Sequence, residues 1–102
     1  SAKEIPDAVK VFRTFGGDAR EFGRSWTTLD PRTIADYRNV AGLPDVNTGE
    51  KMIEGMVKWK DVDHIRPALP LDGNKGGLPE LIIKRASDKV LNPTITPLPN
   101  KL

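Results

Sequence analysis

Five places in this 102-residue chain carry side chains that could do chemistry. Arg13 falls inside an apolar segment, 8–15 (AVKVFRTF), flanked by Phe12 and Phe15. A charge there is costly unless it faces water or an anionic partner. Ser25 and Thr27 set two hydroxyls either side of Trp26. Glu80 follows a Gly-Gly-Leu-Pro turn, at the mouth of the apolar run Leu81-Ile82-Ile83. His64, the single histidine, lies near Asp61, Asp63 and Arg66, a grouping that could serve a metal-independent ribonuclease with His64 as base. The stretch 71–77 (LDGNKGG) is glycine-rich but lacks phosphate-loop spacing, and it reads as a tight turn needing positive φ. Taken singly, Arg13, the Ser25/Thr27 pair and Glu80 also fit structural roles: an edge-strand charge, a pair of strand-favouring hydroxyls and a turn acid.

Several chemistries are excluded. There is no cysteine, so disulfides, thiolate metal sites and thiol nucleophiles are ruled out. A lone histidine makes no convincing zinc site, and no metal is expected. Sixteen Lys and Arg against 14 acids leave a net charge of +2, too small to argue for direct nucleic-acid contact. No run of about 18 apolar residues occurs, so no membrane partner is expected. No GxGxxG fingerprint, Walker loop or HExxH motif is present.

The elements that must position these residues are short. Nine glycines and nine prolines punctuate the chain, which disfavours a long-helix bundle and favours a small mixed or mostly β domain. The length fits one domain, 1–102, with a leader over about 1–7 and an extended or disordered tail over about 92–102. The Ser-Ala start without methionine reads as a piece of a longer protein. A strand is expected over 8–15, broken by Gly16-Gly17-Asp18, then a short extended segment over 22–28. Asp30 as N-cap, Pro31 in the first turn, the stripe Ile34, Tyr37, Ala41 and a terminal Gly42 predict one helix over 31–41. A loop follows over 45–50, with Asn47-Thr48-Gly49 as its turn. Strand 51–60 would bury Ile53, Gly55, Val57 and Trp59 on one face. Further strands are expected at 64–69, at 81–83 as a central strand with Ile82 in the core, and at Val90-Leu91 as an edge.

Arginine on a first strand, Ser-x-Thr on a following strand and glutamate before a late strand is the order of the R-S-E class of ADP-ribosyltransferases. The wording VFRTFGGDAREFGRSWTTLDPRTIADYRNVAGLP, then NTG, then IRPALPLDGNKGGLPE, resembles the C-terminal toxin domains of bacterial Rhs/YD-repeat polymorphic toxins. The resemblance runs from about residue 9 to residue 83. It resembles the branch of type VI secretion-delivered ADP-ribosyltransferase effectors whose target is elongation factor Tu. It implies an α+β domain with a small split β-sheet, one helix and long loops. It implies NAD as substrate, a bacterial target protein, a cognate immunity protein, secretion within a larger effector, and action in the cytoplasm of the target bacterium.

By the same resemblance, Arg13 holds the NAD diphosphate or nicotinamide ribose, Ser25 orients the catalytic acid, Thr27 braces the strand, and Glu80 binds the ribose 2′-hydroxyl. Trp26 or Phe22 would stack on the nicotinamide ring, with core packing the alternative for both. Two features depart from the pattern. The position two before Glu80, often Glu or Gln in the class, is Leu78, so an arginine acceptor is not implied. The interval from Arg13 to Ser25 is also very short. A ribonuclease built on His64 and a non-catalytic interaction module are the alternative readings.

Overall fold

The computed structural model describes residues 5–99. Residues 1–4 of the expected leader and 100–102 of the expected tail lie outside the described residues. The longest apolar alternations form a first antiparallel sheet. Its strands are β1 (Ala8–Gly17), β3 (Asn47–Lys58) and β6 (Leu91–Pro97), in the order β1-β3-β6. Between β1 and β3 comes the two-residue β2 (Ser25–Trp26). With β4 (His64–Pro67) and β5 (Pro79–Ile82) it forms a second antiparallel sheet, ordered β2-β5-β4. The domain is therefore α+β with a split sheet, and β5 is the central strand of its half.

Both faces of β1 are used. Val11 and Phe15 pack with Ile53, Val57, Trp26, Leu81, Ile83, Ala86 and Val90 in the main core. The opposite face puts Phe12 with Met52 and Leu98 in a smaller cluster. Each half-sheet thus covers one side of a shared apolar layer, which is how a small chain removes enough surface from water. The backbones of the two halves meet where Phe12 and Thr27 exchange hydrogen bonds of 2.8 and 2.9 Å.

The helix expected over 31–41 is two pieces. A 3-10 turn covers Pro31–Thr33, and α1 covers Tyr37–Ala41. Asp30 caps as expected, accepting from the Arg32 N–H at 3.0 Å, and Gly42 closes α1 at φ 60. The break has a local cause and a tertiary one. The Thr33 hydroxyl bonds back to the Asp30 carbonyl, Ile34 turns extended, and Asp36 takes a left-handed φ of 56. The break also lets Pro31 and Tyr37 be buried separately, which one continuous stripe would not allow.

Three other expectations are corrected. Asn47-Thr48-Gly49 opens β3 rather than forming a loop, because the Asn47 amide bonds both the Thr14 carbonyl and the Gly49 N–H, substituting for ladder contacts. Trp59 is 46% exposed: β3 ends at Lys58 and a 3-10 turn, Trp59–Asp61, rotates the indole off the core face. Ile82 is buried as expected. The segment from Asn92 is no loose tail, since β6 pairs with β3 from Met56↔Leu91 to Lys51↔Pro97, and Leu98 is buried. Its prolines suit an edge strand, where the missing N–H faces away from the sheet. A second short helix, α2 (Ala86–Lys89), links β5 to β6 and was not anticipated.

Candidate active site

The Phe12–Thr27 bridge marks where the two half-sheets part. Continued antiparallel pairing would bring Arg13 opposite Trp26 and then Thr14 opposite Ser25. Instead the Arg13 guanidinium occupies the gap, with Nη1 donating to the Ser25 carbonyl at 3.2 Å and Nε to the Arg20 carbonyl at 3.0 Å. Gly23 packs so tightly against this group that a Cβ there would overlap the guanidinium. Burial holds the Arg13 guanidinium below its ordinary range, and nearby Tyr37 and Glu80 partly offset that effect. The short interval from Arg13 to Ser25 is therefore a tight loop that folds back to clamp the arginine.

A cavity of about 360 Å³ opens at this split. Arg13, Ser25, Thr27 and Glu80 all line it, as do Thr14, Tyr37 and Arg66. Sheet register explains the convergence. Ser25 pairs with Ile82, so Glu80 is its diagonal neighbour on the same face, and Arg66 pairs directly with Glu80. Glu80 is mostly buried, its side chain 14% exposed, and its carboxylate accepts from Arg66 Nε at 2.7 Å. With Arg13, Arg66 and Glu80 as the charged lining residues, the cavity carries one net positive charge. It therefore favours an anionic ligand.

The outer wall is made by the loop that leads to Glu80, strapped to the end of α1. The Asn39 side-chain and main-chain oxygens accept from Lys75 and Gly76, Val40 accepts from Leu78, and Asp72 accepts from Asp45. Gly76 sits at φ 75 against the Ala68 carbonyl, with no room for a Cβ. The glycine-rich stretch is thus a tight turn, as its composition implies, and it holds the approach to Glu80 in place.

Two polar groups on the floor were missed in sequence. Tyr37 is buried, and burial pushes its hydroxyl up to about 12, so it is a neutral donor at physiological pH. Thr14 is 2% exposed, and its Oγ1 has no hydrogen-bond partner of good geometry, although it lies near enough to Tyr37 to lower that group's pKa slightly. An orphaned buried hydroxyl is costly without a ligand or water to meet it. The missed signal was the alternation of the first strand, which places Thr14 and Phe12 on the face opposite Val11.

Not every expected residue arrives with the role given to it. The donor to Glu80 is Arg66, and Ser25 contributes its backbone carbonyl to Arg13. Thr27 braces the split through its backbone bond to Phe12, while its hydroxyl accepts from Leu29 N–H at 3.2 Å. Trp26 is 2% exposed in the main core with its indole N–H on the Gly23 carbonyl, so its ring is committed to packing. Phe22 packs partly buried against that core and does not line the cavity. Leu78, two residues before Glu80, is buried with Tyr37, Leu43 and Ala68 and offers no polar group there. His64 lies outside the cavity, half-exposed, with Nδ1 2.6 Å from Asp63. Among the described residues no group of three or more His, Cys, Asp or Glu is placed to hold a metal. Comparison with protein-family models, curated proteins and solved structures finds no match to this chain.

Proposed function

We propose that the chain is a mono-ADP-ribosyltransferase that uses NAD to modify a bacterial cytosolic protein. The observation that carries this reading is the meeting of Arg13 and Ser25 with Glu80, which is distant from both in sequence, on one positively charged cavity at the split of a small β-sheet. The cavity is at the small end of ligand pockets, so it suits the nicotinamide-ribose half of the dinucleotide, with the remainder leaving through its mouth.

The chain's groups fit the chemistry. The Arg13 guanidinium is held by the Arg20 and Ser25 carbonyls in the gap between the half-sheets and keeps further N–H donors for a phosphate oxygen. Glu80 places a carboxylate where positive charge grows on the ribose as its C1′–nicotinamide bond breaks. The bonding pair leaves with nicotinamide. A nucleophilic side chain of the target then bonds to C1′ and gives up its proton to solvent. Tyr37 and the unpartnered Thr14 hydroxyl supply neutral hydrogen-bonding groups on the floor. By resemblance, the target is elongation factor Tu, translation is blocked, a cognate immunity protein protects the producing cell, and the domain travels within a secreted Rhs effector to act in the target bacterium's cytoplasm.

The test is incubation with NAD and bacterial lysate, following nicotinamide release and the gain of one ADP-ribose, about 541 Da, on a target protein. Glu80→Gln keeps the side chain's size but removes its charge. It should lower turnover roughly 10²-fold or more with an unchanged melting curve. His64→Ala should leave turnover intact. A fully active Glu80→Gln alongside a folded, inactive His64→Ala would replace this reading with the ribonuclease.

A further inference from the structure

The ion pair between Arg66 and Glu80 lies in the cavity yet has no part in the chemistry described so far. Arg66 Nε donates to Glu80 Oε1 at 2.7 Å, across a directly opposed β4–β5 pair. Oε2 has no hydrogen-bond donor among the described residues. The other cavity arginine, Arg13, donates to the Arg20 and Ser25 carbonyls and makes no hydrogen bond to Glu80. The Ser25 side chain makes no hydrogen bond to Glu80 either. The Arg66 side chain is 41% exposed and that of Glu80 14%, so the pair is open to solvent on the arginine side only.

We propose that Arg66 is a positioning residue: it fixes the rotation of the Glu80 carboxylate through Oε1 and leaves Oε2 to meet the ribose of the dinucleotide. This rests on the transferase reading of the same cavity. A glutamate has three side-chain torsions, the last of them broad, so an untethered carboxylate spreads over many orientations. A charge-assisted bond from a donor carried on the neighbouring strand removes that freedom before the substrate arrives. The role that resemblance gives to serine is here carried by an arginine on the edge strand.

The experiment measures nicotinamide release from NAD, as kcat and KM, for the wild-type chain, Arg66→Gln and Arg66→Lys, with a melting curve for each. Arg66→Gln should lower kcat roughly 10- to 100-fold with KM changed less than about 2-fold. Arg66→Lys should regain several-fold of that loss, because it returns a charged donor without the guanidinium's fixed geometry. An unchanged kcat per folded molecule would make the pair merely structural and overturn the proposal. A raised KM with unchanged kcat would also overturn it, making Arg66 a ligand for the anionic substrate. Should Arg66→Gln fail to fold, kcat and KM of Arg66→Lys, each read separately, decide between the same outcomes. If the wild-type chain neither releases nicotinamide nor modifies any protein, the transferase reading itself fails and this role falls with it.

Discussion

The two half-sheets are built on different physics. The β1-β3-β6 half has strands of 10, 12 and 7 residues, and its position is set by apolar burial on both faces of β1 and β3. The β2-β5-β4 half has strands of 2, 4 and 4 residues, too short to be specified by their own pairing. It is held by Trp26, Leu81 and Ile83 reaching into the shared core and by polar straps from α1 to the loop before β5. The cavity lies along the seam. Arg13 comes from the rigid half, while Ser25, Arg66 and Glu80 come from the strapped half. Geometry at such a seam depends on hydrophobic packing for one wall and on a few hydrogen bonds for the other. Disturbing the two walls should therefore have separable effects.

The largest effect is expected on the packed side. Ile53 is fully buried opposite Arg13, and Ile53→Ala should destabilise the domain by about 2–5 kcal/mol through lost burial and the void left behind. Turnover per folded molecule should change little. Urea unfolding checks the first statement, and activity normalised to the folded fraction checks the second. A local loss of activity without loss of global stability would erase the proposed division of labour.

At the seam itself, the domain's single tyrosine supplies a pH test. The Tyr37 hydroxyl is raised by burial from 10.0 to about 12 in the folded chain. A raised folded-state value means that the neutral form stabilises the fold. The contribution is complete below the unfolded value and is lost as pH rises through the folded one. Stability should therefore fall between about pH 10 and pH 12, by roughly 2–3 kcal/mol, and Tyr37→Phe should remove that slope. Denaturant midpoints against pH measure this, and ultraviolet absorbance follows the tyrosinate directly. A titration near 10 in the folded protein would show the seam to be open to water.

The smallest effect is expected in the straps. Asn39→Ala removes the acceptor for Lys75 N–H and the bond to Asp36. It should cost about 1 kcal/mol globally, because the two exposed hydrogen bonds add little net energy and alanine favours the helix. Amide exchange at 75–77 should nonetheless accelerate clearly, while amides of β3 stay protected. Equal acceleration in both regions would mean that the two halves unfold as one unit.

Much of the fold was legible in sequence because its signals are local. The alternation in 8–15 and over most of 51–60, the Asp30 cap, the Gly42 terminus and the apolar run at 81–83 each follow from backbone geometry repeated over a few residues. The helix over 31–41 misled because a good cap and stripe were outweighed by separate burial of Pro31 and Tyr37. Trp59 misled because alternation does not announce where a strand ends. The segment after Asn92 misled because proline content marks an edge strand and a loose tail alike.

For the site, the sequence by itself determined which side chains were costly enough to need a reason. It singled out a cation within an apolar strand, a hydroxyl pair around a tryptophan and an acid after a glycine turn. Only the tertiary structure decided that these share one cavity, that Arg66 rather than Ser25 donates to Glu80, and that Thr14 and Tyr37 form the floor. The physical reason is register. Arg66 and Glu80 lie 14 residues apart and face each other only because β4 and β5 pair in one alignment. That alignment is set by core packing and loop straps distributed over the whole chain, and no short stretch of sequence contains it.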